Sequence, residues 1–447
     1  MRFNFRTTFI LVSLVVCASG ALGFAGPVRK KLAIQAGRII TLAGPDIQDG
    51  LILVEDRIIK TVGQVAEIPW DAEVIEAKDK VVMPGFVLAH SSSGLDAPNE
   101  NVPEVPFLST FDSIDPIDPY FEDSLRDGVV AMLVLPGNNT LLGGTGTVVK
   151  PYGRIVEAML IKRYTGLMIS LQPPVQSSQQ YEAGSWSYKS TVTTNRMGHM
   201  QHLRRYMAEL KEYLEQYEQR KKDSQEQGKP FDEEIDPRKQ PMIDLSNRKL
   251  TAFIYCDKAA DVAKAIEIQE TYNFNAVLVL GPEGYKAVDL IRSKKLPVIL
   301  HPNLIVWETN EQTHAEEMKV VPLIFHKAGV KFAFQTDTSQ YGRRYLWHQA
   351  ATAVRYGMER TEALKSITLY PAQFIGVDDR FGSIESGKEA SLLFLTGDPL
   401  EAQTWVDRVM IGGEIVYDKA KDVRLKKLLE KPKPQETLPK SADQNTD

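Results

Sequence analysis

Apolar and polar positions change rhythm along this chain, and the changes mark out its parts. Residues 30–80 read as short strands: "KLAIQAGRIITL" and "GLILVEDRIIKTVG" carry β-branched runs broken by Gly and Asp. The same texture returns near the other end in "ASLLFLTGD" and "DRVMIGGEIVYD". Between them lie β-rich apolar runs at 81–90, 129–137, 146–150, 166–171, 251–257, 276–281, 296–302 and 331–337. Several are followed by helical spacing, as in "KAADVAKAIEIQETY" and "RRYLWHQAATAVRYG". Strands alternating with helices predict parallel βα units. Eight such runs predict an α/β fold, a (β/α)8 TIM-like barrel over 81–377. The strands at 26–80 and 378–425 then form a small composite β-sandwich. An open doubly wound sheet is the alternative, but no glycine-rich nucleotide loop follows the first strand. In a barrel, functional side chains belong at the C-terminal ends of the strands.

Two segments break the alternation. A helical insertion is predicted at about 196–240, opening with "RMGHMQHLRRYMAELKEYLEQYEQRKKD" and closing in a polar, Pro-containing loop. The last stretch, 426–447, has few apolar residues and reads as a disordered tail. At the other end, Arg2 and Arg6 precede an apolar run and then small residues, the layout of a secretory signal peptide over 1–25. That run is shorter than the ~20 residues a membrane span needs. The expectation is an exported protein, periplasmic or extracellular, with no transmembrane span after signal removal. Loss of Cys17 leaves Cys256, which rules out an internal disulfide. A net charge of −5 gives no electrostatic case for nucleic acid.

Candidate chemistry gathers at the predicted strand ends. His90 ends the first strand, His301 the seventh and Asp337 the eighth. A two-His-one-carboxylate set suits a mononuclear metal. Without metal, Asp337 can serve as base and a His as acid. The blander reading makes His301 a packed, hydrogen-bonded residue beside Pro302. Arg343, Tyr255 and Gln172 are candidate substrate-binding residues, and Arg343 suits an anionic group. "NNTLLGGTG" at 138–146 is a Gly-rich loop at the functional end, placed to cover a ligand. His199 and His202, spaced i,i+3 on the inserted helix, read as a solvated pair.

Three phrases carry a family resemblance. "VVMPGFVLAH" resembles the first barrel strand of the amidohydrolase superfamily, "FAFQTDT" its eighth, and "GSIESGKEASLLFL" the passage that leads back to the small β-domain. "GGTGTVVK" and "TNRMGHMQHLRRYM" are similar to phrases of the imidazolonepropionase-like group. The resemblance implies metal ligands at seven traced positions. His90 and Asp337 match, whereas Leu88, Ser92, Gln172 and Tyr255 stand where Asp, His, Glu and His are usual, and Leu280 replaces a further His. It therefore implies either no cofactor or one divalent metal, zinc before others, held weakly by His90 and Asp337. The expected function is a degenerate member with lost or reduced metal-dependent hydrolysis, taking a small-molecule or protein ligand at the barrel mouth. The alternatives are an active hydrolase on cyclic or linear amides and a scaffold subunit of an envelope assembly. A homo-oligomer fits any of these.

Overall fold

The computed structural model describes residues 30–64, 67–100, 102–173, 195–336 and 344–430. The segment read as a signal peptide, residues 1–25, and most of the predicted tail lie outside these residues.

Eight strands form the barrel wall: β5 (Phe86–Ser91), β6 (Val129–Val134), β7 (Leu142–Val149), β8 (Leu160–Ser170), β9 (Thr251–Cys256), β10 (Asn275–Leu280), β11 (Val298–Leu300) and β14 (Phe332–Phe334). Each overlaps one of the apolar runs, although β7 and β8 begin before theirs, and β5, β6 and β7 are buried along their whole length. Burial on both faces is why these segments read as continuous rather than alternating.

The wall departs from eight parallel units at one strand. β7 pairs antiparallel with both β6 and β8, whereas the remaining neighbours are parallel. The cause is connection length. Only residues 135–141 separate β6 from β7, and a parallel crossover needs about a dozen residues or more. The chain must turn back on itself.

Among the described residues the wall closes without a direct ladder between its first and last strands. The turn at Ser366–Ile367 bridges them instead. Val87 N–H donates to the Ile367 carbonyl at 2.9 Å, and Phe334 N–H to the Ser366 carbonyl at 3.4 Å.

Strands from the two chain ends share a second sheet, ordered β17-β16-β15-β4-β1-β2-β3. Its members are β1 (Lys31–Ile39), β2 (Ile47–Glu55), β3 (Ile58–Gly63), β4 (Glu73–Pro84), β15 (Leu392–Leu395), β16 (Val406–Ile411) and β17 (Glu414–Asp418). The composite β-domain expected from the two chain ends is present as this hydrogen-bonded sheet, with a core around Ile34, Ile52, Val82, Leu392 and Phe394. Gly85 lets the chain pass from this sheet into the barrel. A Cβ there would stand 2.2 Å from Val130 Cγ1.

The insertion is the helix Arg196–Glu226, which buries His199, Met200, Leu203, Met207 and Leu210 and leaves its second half in solvent. The exposed half is braced by its own return segment, through Arg220 to Glu233 at 2.7 and 2.8 Å and an edge contact of Tyr217 on Phe231. At the C-terminus, the helix Val423–Leu429 enters the span read as tail from residue 426. Asp422 starts it by accepting a hydrogen bond from Leu425 N–H, and the spacing of Leu425, Leu428 and Leu429 continues it. Among the described residues no helix is long and apolar enough to cross a membrane.

Candidate functional site

The first strand sets the geometry of the mouth. Its register against β6 slips between Leu88 and Ser91, which marks a bulge. Leu88 lines a small cavity with Tyr120, Ser124, Asp127, Thr336 and Arg344. The Ser91 hydroxyl lies 2.7 Å from that of Tyr120. Leu88 and Ser91 therefore both face the helix Pro119–Arg126, and alternation turns His90 to the barrel interior. His90 is 6% exposed, and neither ring nitrogen has a hydrogen-bond partner among the described residues. Burial pulls its pKa down to about 4, so the ring is neutral at pH 7.

His301 follows β11 and has a different occupation. Its Nδ1 accepts from the Asn303 backbone N–H at 3.1 Å. That bond places the ring proton on Nε2, the tautomer opposite to the one an Nε2 metal ligand requires. The packed, hydrogen-bonded reading of His301 is the one this geometry favours.

Gln172 and Tyr255 meet at the ends of β8 and β9, where Leu171 N–H donates to the Tyr255 carbonyl at 3.0 Å. Between them stands Asn138, from the Gly-rich loop. Its Nδ2 donates to Gln172 Oε1 at 3.2 Å, and its amide also faces the Tyr255 hydroxyl. Burial raises the Tyr255 phenol, which stays protonated. Sequence reasoning marked the loop but not Asn138 itself, whose signal was only its place after the second strand.

Three expectations change or fall elsewhere. His199 is not solvated: it is 1% exposed and donates Nε2–H to the Ser170 carbonyl at 2.9 Å. His202 pairs separately with Glu104 at 3.0 Å. Asp337 and Arg343 lie outside the described residues. Arg344, which with Arg343 could be expected to meet an anionic ligand at the mouth, pairs with Asp123 and Asp127, and sequence reading passed over Asp127. Burial lifts the Asp127 carboxyl to about 6 against the opposing pull of Arg344.

A catalytic zinc takes three protein ligands. Among the described residues no three His, Cys, Asp or Glu side chains converge. Leu88 and Leu280 have no donor atom, Gln172 Oε1 is already engaged by Asn138, and Tyr255 is a protonated phenol. Only His90 is oriented and free to ligate among the strand-end residues just described. Among the described residues this donor set does not fit the metal.

Comparison with known proteins agrees with the architecture. A model of the amidohydrolase family matches residues 279–416. The structure of an amidohydrolase from Thermotoga maritima MSB8 superposes with a TM-score of 0.74 at 29% identity, covering 87% of this chain and all of that one. The chain resembles amidohydrolases in fold and, over residues 279–416, in sequence. A prolidase complexed with N-methylphosphonate-L-proline, at 15% identity and a TM-score of 0.51, covering 87% of this chain and all of that one, is similar in fold. Amidohydrolase tasK of Hapsidospora irregularis is 23% identical over 411 residues, 80% of this chain. This chain spans 39% of that relative.

Proposed function

We propose that this chain is an exported binding protein, descended from the imidazolonepropionase-like group, whose barrel mouth takes a ligand without metal-dependent hydrolysis. The observation that carries the reading is the donor set. Gln172 and Tyr255 offer an amide and a protonated phenol at strand ends where the family resemblance implies Glu and His. Neither replaces an anionic or imidazole ligand to a divalent ion. Export is supported by Arg2, Arg6 and the apolar run that follows.

A second reading, a hydrolase on carbon–nitrogen bonds with a reduced site, draws support from the 29% identity to the Thermotoga amidohydrolase and from the unpaired His90. One experiment separates them. The mature protein is purified without chelator or affinity-tag metal, analysed for zinc, iron and manganese, and assayed on cyclic and linear amides. The binding reading expects less than one equivalent of metal and no turnover. A full equivalent with turnover that Asp337→Asn abolishes overturns it in favour of the hydrolase.

A further inference from the structure

The same strand ends carry a hydrogen-bonding pattern of their own. Asn138 is fixed from two sides: its carbonyl accepts from Ser170 Oγ at 2.5 Å, and its side chain donates to Gln172. Ser170 Oγ in turn accepts from Gln172 N–H at 3.2 Å. The loop bearing Asn138 is strapped from outside, with Asn139 N–H on Asn99 Oδ1 at 2.9 Å and Gly137 N–H on the Pro98 carbonyl at 2.6 Å. With Gln172 Oε1 engaged, its Nε2 donors have no partner among the described residues, and the Tyr255 hydroxyl stands beside the same amide. These groups are preorganised, and preorganised polar groups recognise a ligand at low entropic cost.

We propose that Asn138, Gln172 and Tyr255 form a hydrogen-bonding cradle for an uncharged small molecule that presents a donor and an acceptor side by side, as a vicinal diol or a carboxamide does. The proposal deepens the binding reading above and rests on it. It is drawn without Asp337, which lies outside the described residues. Chemistry of the donors is the argument. Asn138 and Gln172 offer side-chain amides and Tyr255 a hydroxyl, and the neighbouring carboxylates Asp257 and Asp261 are both engaged by Arg196, at 3.4 and 2.8 Å. Among the described residues an ion entering here loses its hydration without meeting an unpaired counter-charge, whereas a neutral polar group exchanges water for matched partners. The unpaired ring nitrogens of His90, one a donor and one an acceptor in the neutral ring, extend the same preference into the barrel.

Ligand-observed NMR with matched pairs tests this. Nicotinamide against nicotinate probes the carboxamide arm, and methyl glucoside against glucuronate probes the diol arm. At least one uncharged member is expected to bind, with its charged partner roughly tenfold weaker or more. Gln172→Leu and Asn138→Leu are each expected to weaken that binding by roughly tenfold, the scale of one hydrogen bond lost from a desolvated site. The isosteric Gln172→Glu keeps the packing and is expected to lose the preference for the uncharged member. The proposal is overturned if the charged members bind as well, if binding survives Gln172→Leu, or if neither uncharged probe binds. Hydrolysis of nicotinamide by the wild type would overturn the non-hydrolytic reading and leave the cradle standing.

Discussion

Arg344 Nε lies 3.3 Å from Asp127 Oδ2, and the same guanidinium reaches Asp123 at 2.9 Å. This pairing ties the chain just beyond the eighth strand to the helix that backs the first. Asp127 is nevertheless held near pKa 6, because burial opposes its charge more than Arg344 favours it.

A carboxyl whose folded pKa lies above its unfolded value of ~3.9 binds its proton more tightly when folded, so it makes stability fall as pH rises from about 4 to about 6. Asp127→Asn removes that slope. The variant is expected to match the wild type near pH 4 and to be more stable at pH 7.5, by no more than about 2 kcal/mol given partial solvent access. Urea denaturation at both pH values checks this. Equal stabilities at pH 7.5 would count against the buried, destabilised carboxylate.

His90 pulls the opposite way. Its folded pKa of about 4 lies below the unfolded ~6.5, so its contribution is present above pH 6.5 and is lost as pH falls through 4. The two slopes largely cancel in the wild type, which is why single variants are needed to see either. With no partner for either nitrogen, His90→Leu is expected to leave stability at pH 7 unchanged or raise it by about 1 kcal/mol. It is also expected to flatten the slope between pH 4 and 6.5. Differential scanning calorimetry across that range reads both effects. A loss of several kcal/mol would mean that the ring is engaged by a bound partner.

Arg126 closes the contact between the barrel and the C-terminal strands. Its Nε reaches Asp422 at 2.6 Å, and Tyr417 donates to the same carboxylate at 3.2 Å. The Asp422 side chain is 3% exposed and its pKa is lowered to about 2, with the Arg126 hydrogen bond opposing burial. Arg126→Ala strands a buried carboxylate and is expected to cost about 3 kcal/mol at pH 7. Because the folded pKa is depressed, the wild-type advantage should hold above ~4 and fade as pH drops toward 2. Thermal melts of the pair at pH 7 and pH 2.5 provide the comparison.

Gly281 follows β10 beside the cradle. A Cβ there would come within 2.3 Å of the Asp257 carbonyl oxygen and 2.8 Å of its Cα, both backbone atoms. Gly281→Ala is expected to push the end of β9 aside and destabilise the fold by about 1–3 kcal/mol. Chemical denaturation measures the cost, and an unchanged midpoint would show that the two strand ends are not locked together.

Much of the barrel could be read from apolar runs, because strands buried on both faces must be apolar throughout. The reversal of β7 was also written in the chain, in the short stretch 135–141, but apolar content carries no sign of strand direction. The placement of His90, Gln172 and Tyr255 at strand ends follows from the same runs. Their partners do not. His199 is buried because the inserted helix docks that face on β8, and helical spacing alone leaves the docked face open. The Asn303 amide on His301 and the Asn138–Gln172 bond are tertiary or turn contacts with no periodic signature.

The bridge through Ser366 and Ile367 gives the cylinder a seam. Elsewhere around the wall each strand is laddered to its neighbour, but at this joint the first and last staves are held by single bonds to a third segment. Breathing motions should open the wall here first, so the amides of Val87 and Phe334 should exchange with deuterium ahead of those in the middle of β9 and β10.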